Sequence, residues 1–296
     1  MSSKIKGPIL VTGSSSGIGR KIVELLASRG HLVYACARKE QDILELEQID
    51  NVKSIKLDVT NNDQIKNMVE FIENQGKGLY GLVNNAGVTD IAALVEMNED
   101  DFHFVLNVNL YGVFRVTKAL HEYIIETKGR IVNIGSIAGI LAEPYMGVYN
   151  ASKHALEGYT DNLAHEMGKY SVDVSIVEPG NYKSQISQNS GIRVLPKLKD
   201  RKASKYINEI KKIISSPDAR PDRGQFKEPD EVADAIYHAL TSDKPKPRYM
   251  VVPNELEARA TIERAMQELV ELNEWHAYSY NRDELISMLD AKLENN

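Results

Sequence analysis

The sequence predicts an α/β fold, a parallel sheet doubly wound with helices on both faces. Three observations carry this expectation. Short apolar runs alternate with helix-length amphipathic stretches along most of the chain. The first apolar run ends in a glycine-rich turn that opens a helix. That first run, residues 8–12, is continuous rather than alternating, the pattern of a strand covered on both faces.

Taken in order, residues 8–12 (Pro-Ile-Leu-Val-Thr) read as the first strand, and a helix follows over 18–29, stopped by Gly30. A second strand covers 31–37, a helix 40–49 and a third strand 52–57. A helix over 63–74 and a strand over 81–84 continue the alternation, followed by one long helix over 99–128. A strand over 130–134 precedes a proline-free helix over 148–168, and another strand covers 172–177. Residues 181–227 break the rhythm with Pro196, Pro217, Pro221 and many lysines, and one helix is expected over 204–215. An insertion this long beyond a strand end is expected to be a functional lid. Pro229 and two acids open a helix to about Leu240, and 248–252 reads as the last strand. The expected organisation is one domain over 1–253, with the lid, and a charged helical extension over 254–296 packed on that domain or on a partner subunit.

The bulk properties narrow the function classes. The chain has 296 residues, 42% of them hydrophobic, enough for a sizeable core. The formal charge of −6 gives no net attraction to nucleic acid or anionic lipid. A single cysteine, Cys36, excludes an internal disulfide and suits a reducing compartment. No signal-peptide pattern and no membrane-spanning stretch is legible, so a cytoplasmic protein is expected. No His/Cys/Asp cluster has ligand spacing, so no metal is expected.

The chemistry-bearing residues gather at expected C-terminal strand ends, the edge where parallel sheets bind ligands. In Thr12-Gly13-Ser14-Ser15-Ser16-Gly17-Ile18-Gly19, Gly13 permits a tight turn and Gly17 lets the backbone approach a phosphate. Gly19 lets the helix sit against the sheet, and the helix N-terminus offers N–H groups to a pyrophosphate. The second strand ends without an acid and is followed by Arg38 and Lys39, cations suited to the 2′-phosphate of NADP. Asp58, with Val59, closes the third strand and suits either an adenine amino group or a helix N-cap. Asn85, Ala86 and Gly87 close the fourth, Ser136 follows the fifth, and Pro179-Gly180 follows the sixth. Tyr149 and Lys153 are four apart, on one helix face. A nearby ammonium favours a phenolate, so the pair is a candidate proton donor and acceptor.

Together these motifs resemble the short-chain dehydrogenase/reductase family. In order they are T-G-S-S-S-G-I-G (12–19), L-D-V (57–59), N-N-A-G (84–87), N-V-N (107–109), I-G-S (134–136), Y-N-A-S-K (149–153) and E-P-G (178–180). The resemblance covers 8–185 well and 229–252 loosely. It implies a Rossmann-type sheet, a nicotinamide cofactor and a catalytic group of Asn109, Ser136, Tyr149 and Lys153. In that group Tyr149 exchanges a proton with the substrate oxygen, and Lys153 holds the nicotinamide ribose and lowers the tyrosine pKa. Ser136 positions the substrate oxygen, and Asn109 holds a water leading from Lys153 to solvent. The family usually has a threonine after Pro-Gly; here the run is Asn181-Tyr182-Lys183-Ser184, and Ser184 is expected in its place. Arg38 resembles the NADP-using branches that act on hydroxysteroids and retinoids, so NADP(H) is the expected cofactor and NAD(H) the alternative. Homodimers or homotetramers through the two long helices are also implied.

The expected substrate wall is residues 137–146, mostly apolar, with Ser136, Ala138, Ile140, Met146 and Tyr149 as the contacts. It suits a lipophilic ketone or alcohol; the opposing expectation is that these side chains pack against the lid. Two other classes use such folds. A non-catalytic dinucleotide sensor would lack part of the catalytic group, and a sugar-nucleotide epimerase or dehydratase would favour a polar wall and a larger substrate domain.

Overall fold

The computed structural model describes residues 5–186, 190, 192–194, 204–215 and 226–294. Among these, seven strands form one sheet in the order β3-β2-β1-β4-β5-β6-β7, every neighbouring pair parallel. The strands are β1 (Ile9–Val11), β2 (Val33–Ala37), β3 (Val52–Lys56), β4 (Gly81–Asn84), β5 (Arg130–Ile134), β6 (Asp173–Pro179) and β7 (Arg248–Val251). The strand order reverses at β1, between β2 and β4, which opens a crevice at the C-terminal strand ends.

The helices are α1 (Gly17–Ser28), α2 (Glu40–Leu46), α3 (Asn62–Gln75), α4 (Glu99–Leu106), α5 (Val113–Thr127), α6 (Gly147–Gly168), α7 (Ile207–Ser215) and α8 (Asp230–Thr241). Side-chain alternation in β1 sorts the core into two layers. Ile9 and Val11 pack with Ile22 and Leu26 of α1, Leu46 of α2 and Ile236 of α8. Leu10 packs on the opposite face with Met68 of α3, Leu120 of α5 and Met167 of α6. All of these side chains are buried, so both faces of the sheet are covered.

Helix ends follow local chemistry. Asn61 caps α3 by accepting from the Gln64 N–H at 3.0 Å, and Gly76 ends it with φ +62°. Between β4 and β5 the expected single helix over 99–128 is broken. α4 passes into a π-helical turn, Asn107–Gly112, before α5 begins. An extra residue per turn lets Asn109 leave the regular helix face and lets Gly112 press on Val59, where a Cβ would come within 2.6 Å of the valine side chain.

The chain divides into two units, Met1–Pro253 and Asn254–Asn296. The second consists of α9 (Glu255–Glu274) and α10 (Arg282–Glu294). Asn254 caps α9 through the Glu257 N–H at 2.9 Å. The Asn273 side chain fastens the turn between the two helices by donating to Tyr280 O and accepting from Tyr280 N, both at 2.8 Å. Of the lid expected over 181–227, the helix appears as Ile207–Ser215, whereas Pro196, Pro217 and Pro221 lie outside the described residues. Among the described residues no helix is long and apolar enough to cross a membrane.

Candidate active site

The glycine turn is held from below by the end of β4. Thr12 Oγ1 accepts from the N–H groups of Asn85 at 2.9 Å and Ala86 at 3.0 Å. The Asn85 amide donates back to Thr12 O and Gly13 O. This lattice allows no bulk. A Cβ on Gly13 would lie 2.9 Å from Ala86 Cα, and one on Gly19 would lie 2.2 Å from Gly13 O. Gly13 and Gly17 also take φ of +68° and +56°, which glycine adopts without penalty. At the start of α1, Ser16 makes no side-chain cap bond and no acid occupies the first turn. The unpaired N–H groups and positive dipole of that turn therefore face the crevice without a competing anion, the arrangement a phosphate needs.

A cleft of about 230 Å³ runs from this turn along the strand ends. Its lining contains Gly13, Ser15, Ser16, Gly17, Ile18, Arg38, Asp58, Val59, Asn85, Ala86, Gly87, Ser136, Tyr149, Lys153, Pro179, Gly180 and Ser184, all singled out from the sequence. Two expected contacts are placed elsewhere. Lys39 is exposed at the N-cap position of α2, because β2 ends at Ala37 and the chain has already turned. Gly19 lies one turn into α1, where its role is close packing on Gly13. Arg38 projects beyond β2 with its guanidinium 4.0 Å from Asp58 Oδ2. Asp58 does not cap α3; its Oδ1 accepts from Thr60 N at 2.9 Å and Thr60 Oγ1 at 2.7 Å.

A second cleft of about 130 Å³ adjoins the first and shares Ser136, Tyr149, Gly180, Tyr182, Ser184 and Ile186 with it. Ala138, Met146 and Leu141 line it, with Thr89, Glu143, Asn150 and Asn181. Ile140, an expected wall residue, does not. Ile137, Ala138 and Leu141, in and just after the 3-10 turn of residues 137–139, line it instead. The opposing expectation holds in part, since Tyr145 and Met146 also pack with Ile207 and Ile210 of α7. Thr89 and Tyr182 carried no sequence signal, and Asn150 entered only as a member of the 149–153 motif. Thr89 shows what a motif search passes over: its Oγ1 is buried without a partner at the cleft wall.

The four expected catalytic residues converge. Tyr149 and Lys153 stand on one face of α6, with the Lys153 ammonium 5.7 Å from the Tyr149 ring centre. Lys153 is buried and donates to Ile134 O at 2.7 Å. Ser136 caps the 137–139 turn and hydrogen-bonds the Tyr149 hydroxyl. Asn109, brought in by the π turn, clamps Val88: its Oδ1 accepts from Val88 N and its Nδ2 donates to Val88 O, both at 2.8 Å. The same amide donates to Ser152 Oγ at 2.9 Å, which ties the turn to α6 one residue from Lys153.

The electrostatics differ from expectation at one point. Burial pushes the Tyr149 phenol above its usual range, and only the Ser136 hydrogen bond opposes this. Lys153 does not bring it down. The ammonium is itself penalised by burial and falls to about 8, with the Glu157 charge acting in the opposite direction. In this state Tyr149 is a protonated group held ready to donate.

The comparisons with known proteins agree with this geometry. Residues 8–193 match the short chain dehydrogenase family. Among curated relatives, the 3-ketodihydrosphingosine reductase of Bacteroides thetaiotaomicron is 34% identical over 206 residues, covering 69% of this chain and 75% of that protein. The mitochondrial D-beta-hydroxybutyrate dehydrogenase of Mus musculus is 34% identical over 263 residues (81% and 75%). The 17-beta-hydroxysteroid dehydrogenase type 6 of Rattus norvegicus is 33% identical over 251 residues (81% and 79%). Among solved structures, an actinorhodin polyketide ketoreductase variant with NADPH superposes with a TM-score of 0.68 at 27% identity, covering 86% of this chain and 97% of that one. A 3-oxoacyl-[acyl-carrier protein] reductase with bound NAD from Brucella melitensis gives 0.65 at 27% identity (85% and 90%). Matched by sequence over residues 8–193 and by fold, this chain belongs to the short-chain dehydrogenase family of oxidoreductases.

Proposed function

We propose that the protein interconverts a lipophilic carbonyl compound and its alcohol, with NADP(H) as the nicotinamide cofactor. The observation that carries this is the meeting of the two clefts at Ser136 and Tyr149. One cleft has the features of a dinucleotide site and the other a wall of Ala138, Leu141, Met146 and Ile186.

The residues fit the dinucleotide. The uncapped first turn of α1 suits the pyrophosphate, and Gly13 and Gly17 let it approach the backbone. Arg38 suits a 2′-phosphate, which would replace its distant approach to Asp58. When bound, the nicotinamide supplies or takes up the hydride. Lys153, which donates to Ile134 O, would hold the ribose hydroxyls. Ser136 donates to the substrate oxygen and fixes it beside Tyr149. Tyr149, protonated through its burial, gives its O–H proton to that oxygen as the carbonyl is reduced. Asn109 positions the π turn and Val88, and a water on its amide would connect Lys153 to solvent. The relatives named above include a 3-ketodihydrosphingosine reductase and a 17-beta-hydroxysteroid dehydrogenase, names in keeping with an apolar wall.

Assembly as a homodimer or homotetramer through α4, α5 and α6 belongs to the same proposal. Tyr111 of the π turn and Phe114 of α5, large aromatics 48% and 45% exposed, support it. The helical unit 254–296 is assigned to the same assembly, and the cytoplasm is the proposed location.

The test is a carbonyl panel followed by consumption of reduced nicotinamide. Bulky apolar ketones are expected to turn over, and small polar sugars are not. Turnover of sugars alone would reverse the substrate assignment.

A further inference from the structure

Behind Lys153 lies a group of charges that the reaction above does not use. α6 places Tyr149, Lys153, Glu157 and Asp161 at intervals of four, on one face. Glu157 sits one turn beyond Lys153. Opposite it is Glu178 on β6, the residue before Pro179-Gly180 of the cofactor cleft. Glu178 is buried, with its side chain 3% exposed, and Glu157 is 13% exposed. One cation serves both: Arg248, at the start of β7, lies 3.2 Å from Glu157 Oε2 and 3.5 Å from Glu178 Oε1. Its Nη2 donates to both oxygens of Asp161, at 2.8 and 2.7 Å.

Three carboxylates therefore face one guanidinium, and two of them are within hydrogen-bond reach of each other. Oε1 of Glu157 and Oε1 of Glu178 are both buried with no hydrogen-bond donor. Two adjacent buried carboxylates cannot both ionise cheaply, and a single proton between them supplies the missing donor. Glu157 also has a mechanical position. A Cβ on Gly139 would lie 2.9 Å from its Oε1 and one on Gly135 3.1 Å, so its carboxyl is packed under the two glycines that bracket Ser136.

We propose that Glu157 and Glu178 share one proton and act as a positioning pair for the catalytic group, with Glu157 keeping Lys153 an ammonium and seating the Ser136 turn. The proton resides on Glu178, whose carboxyl burial and the facing Glu157 charge push up to about 8. Glu157 is raised as well by burial, but Arg248 and the hydrogen bond from Glu178 pull against this, so it carries the negative charge. That charge opposes the fall of Lys153 to about 8. The titratable and charged groups facing the pair are Lys153 and Asp161 from α6 and Arg248 from β7.

The inference rests on Lys153 acting as the ribose-holding ammonium, so the test has one arm that needs no turnover. Infrared spectroscopy of the full chain at neutral pH should show a protonated-carboxyl C=O band that E178Q lacks. In E157Q, Glu178 has lost its like-charged neighbour, and the band should disappear at lower pH than in wild type. The second arm is the pH profile of kcat/KM for carbonyl reduction. Removing the Glu157 charge lowers the Lys153 pKa, so the alkaline limb of E157Q should move down by about one pH unit. E178Q exchanges an already neutral acid for a neutral amide and should keep that limb in place. Absence of the band in wild type at neutral pH overturns the shared proton. An unmoved limb in E157Q, or equal shifts in both variants, overturns the positioning role. The band is read without substrate, so it stands or falls separately from the proposed reaction.

Discussion

The cofactor cleft and the substrate cleft share one wall but are built in different ways. The cofactor side is made of backbone. Its turn is braced by Thr12 and Asn85, and glycines stand where a single Cβ would collide with a carbonyl. The substrate side is made of side chains from four stretches: Thr89, residues 136–150, Gly180–Tyr182 and Ser184–Ile186. Part of it leans on the small cluster of Tyr145, Met146 and α7 rather than on the main core. A backbone site admits one ligand geometry, whereas a side-chain wall can change shape without disturbing the sheet. The cofactor half should therefore respond to substitution as a structural element, and the substrate half as a surface of adjustable affinity.

This contrast can be broken experimentally. The largest effect is expected from Gly19→Ala, whose new methyl would meet Gly13 O at 2.2 Å. Stability should fall by about 1–3 kcal/mol, as overpacking does. Displacement of the turn should weaken cofactor binding by ~100-fold or more. A denaturant melt and a cofactor fluorescence titration would measure both, and a silent substitution would contradict the braced turn. Arg38→Asp comes next. It removes a half-exposed cation without touching the turn. NADPH affinity should drop by about 10- to 100-fold, the range of a charge-assisted hydrogen bond, while NADH changes little. Equal losses for both cofactors would refute the 2′-phosphate assignment. The smallest effect should come from Leu141→Ala, a wall residue away from the reacting groups. Loss of apolar contact predicts a KM about tenfold higher for a bulky ketone, with kcat little changed. A collapse of kcat instead would show that the wall is part of the catalytic framework.

The same contrast explains what could be read from the sequence. The turn at 12–19, the strand-end residues Asp58 and Asn85 and the Tyr149–Lys153 pair were legible, because backbone approach and helix spacing demand particular residues at particular intervals. Strand assignments agree to within two residues at either end, and the central strands β1, β2 and β4 are buried on both faces. The π turn was not legible. Asn109 was named through the family resemblance, and its bonds to Val88 and Ser152 join parts of the chain 21 and 43 residues apart. The wall was read least well. Ile140 was expected where Leu141 stands, and tertiary packing alone decides between them, as it does for Thr89 and Asn150. Lys39 lies away from the cleft although the strand end at Ala37 was read correctly, because the residue after Arg38 already caps the next helix. The Tyr149 electrostatics went astray because a Tyr–Lys spacing reports proximity and says nothing of burial, which here governs both groups.

The central claim is that the two clefts meet at a tyrosine that supplies the proton. Single-turnover reduction of a bulky ketone by wild type and Tyr149→Phe, both saturated with reduced cofactor, tests it most directly. The phenylalanine keeps the ring and the cleft wall and removes only the hydroxyl. Cofactor affinity should stay within about twofold while turnover falls by ~10²–10⁴, the range of a lost general acid. A variant that binds cofactor normally and retains most of its turnover would contradict the assignment.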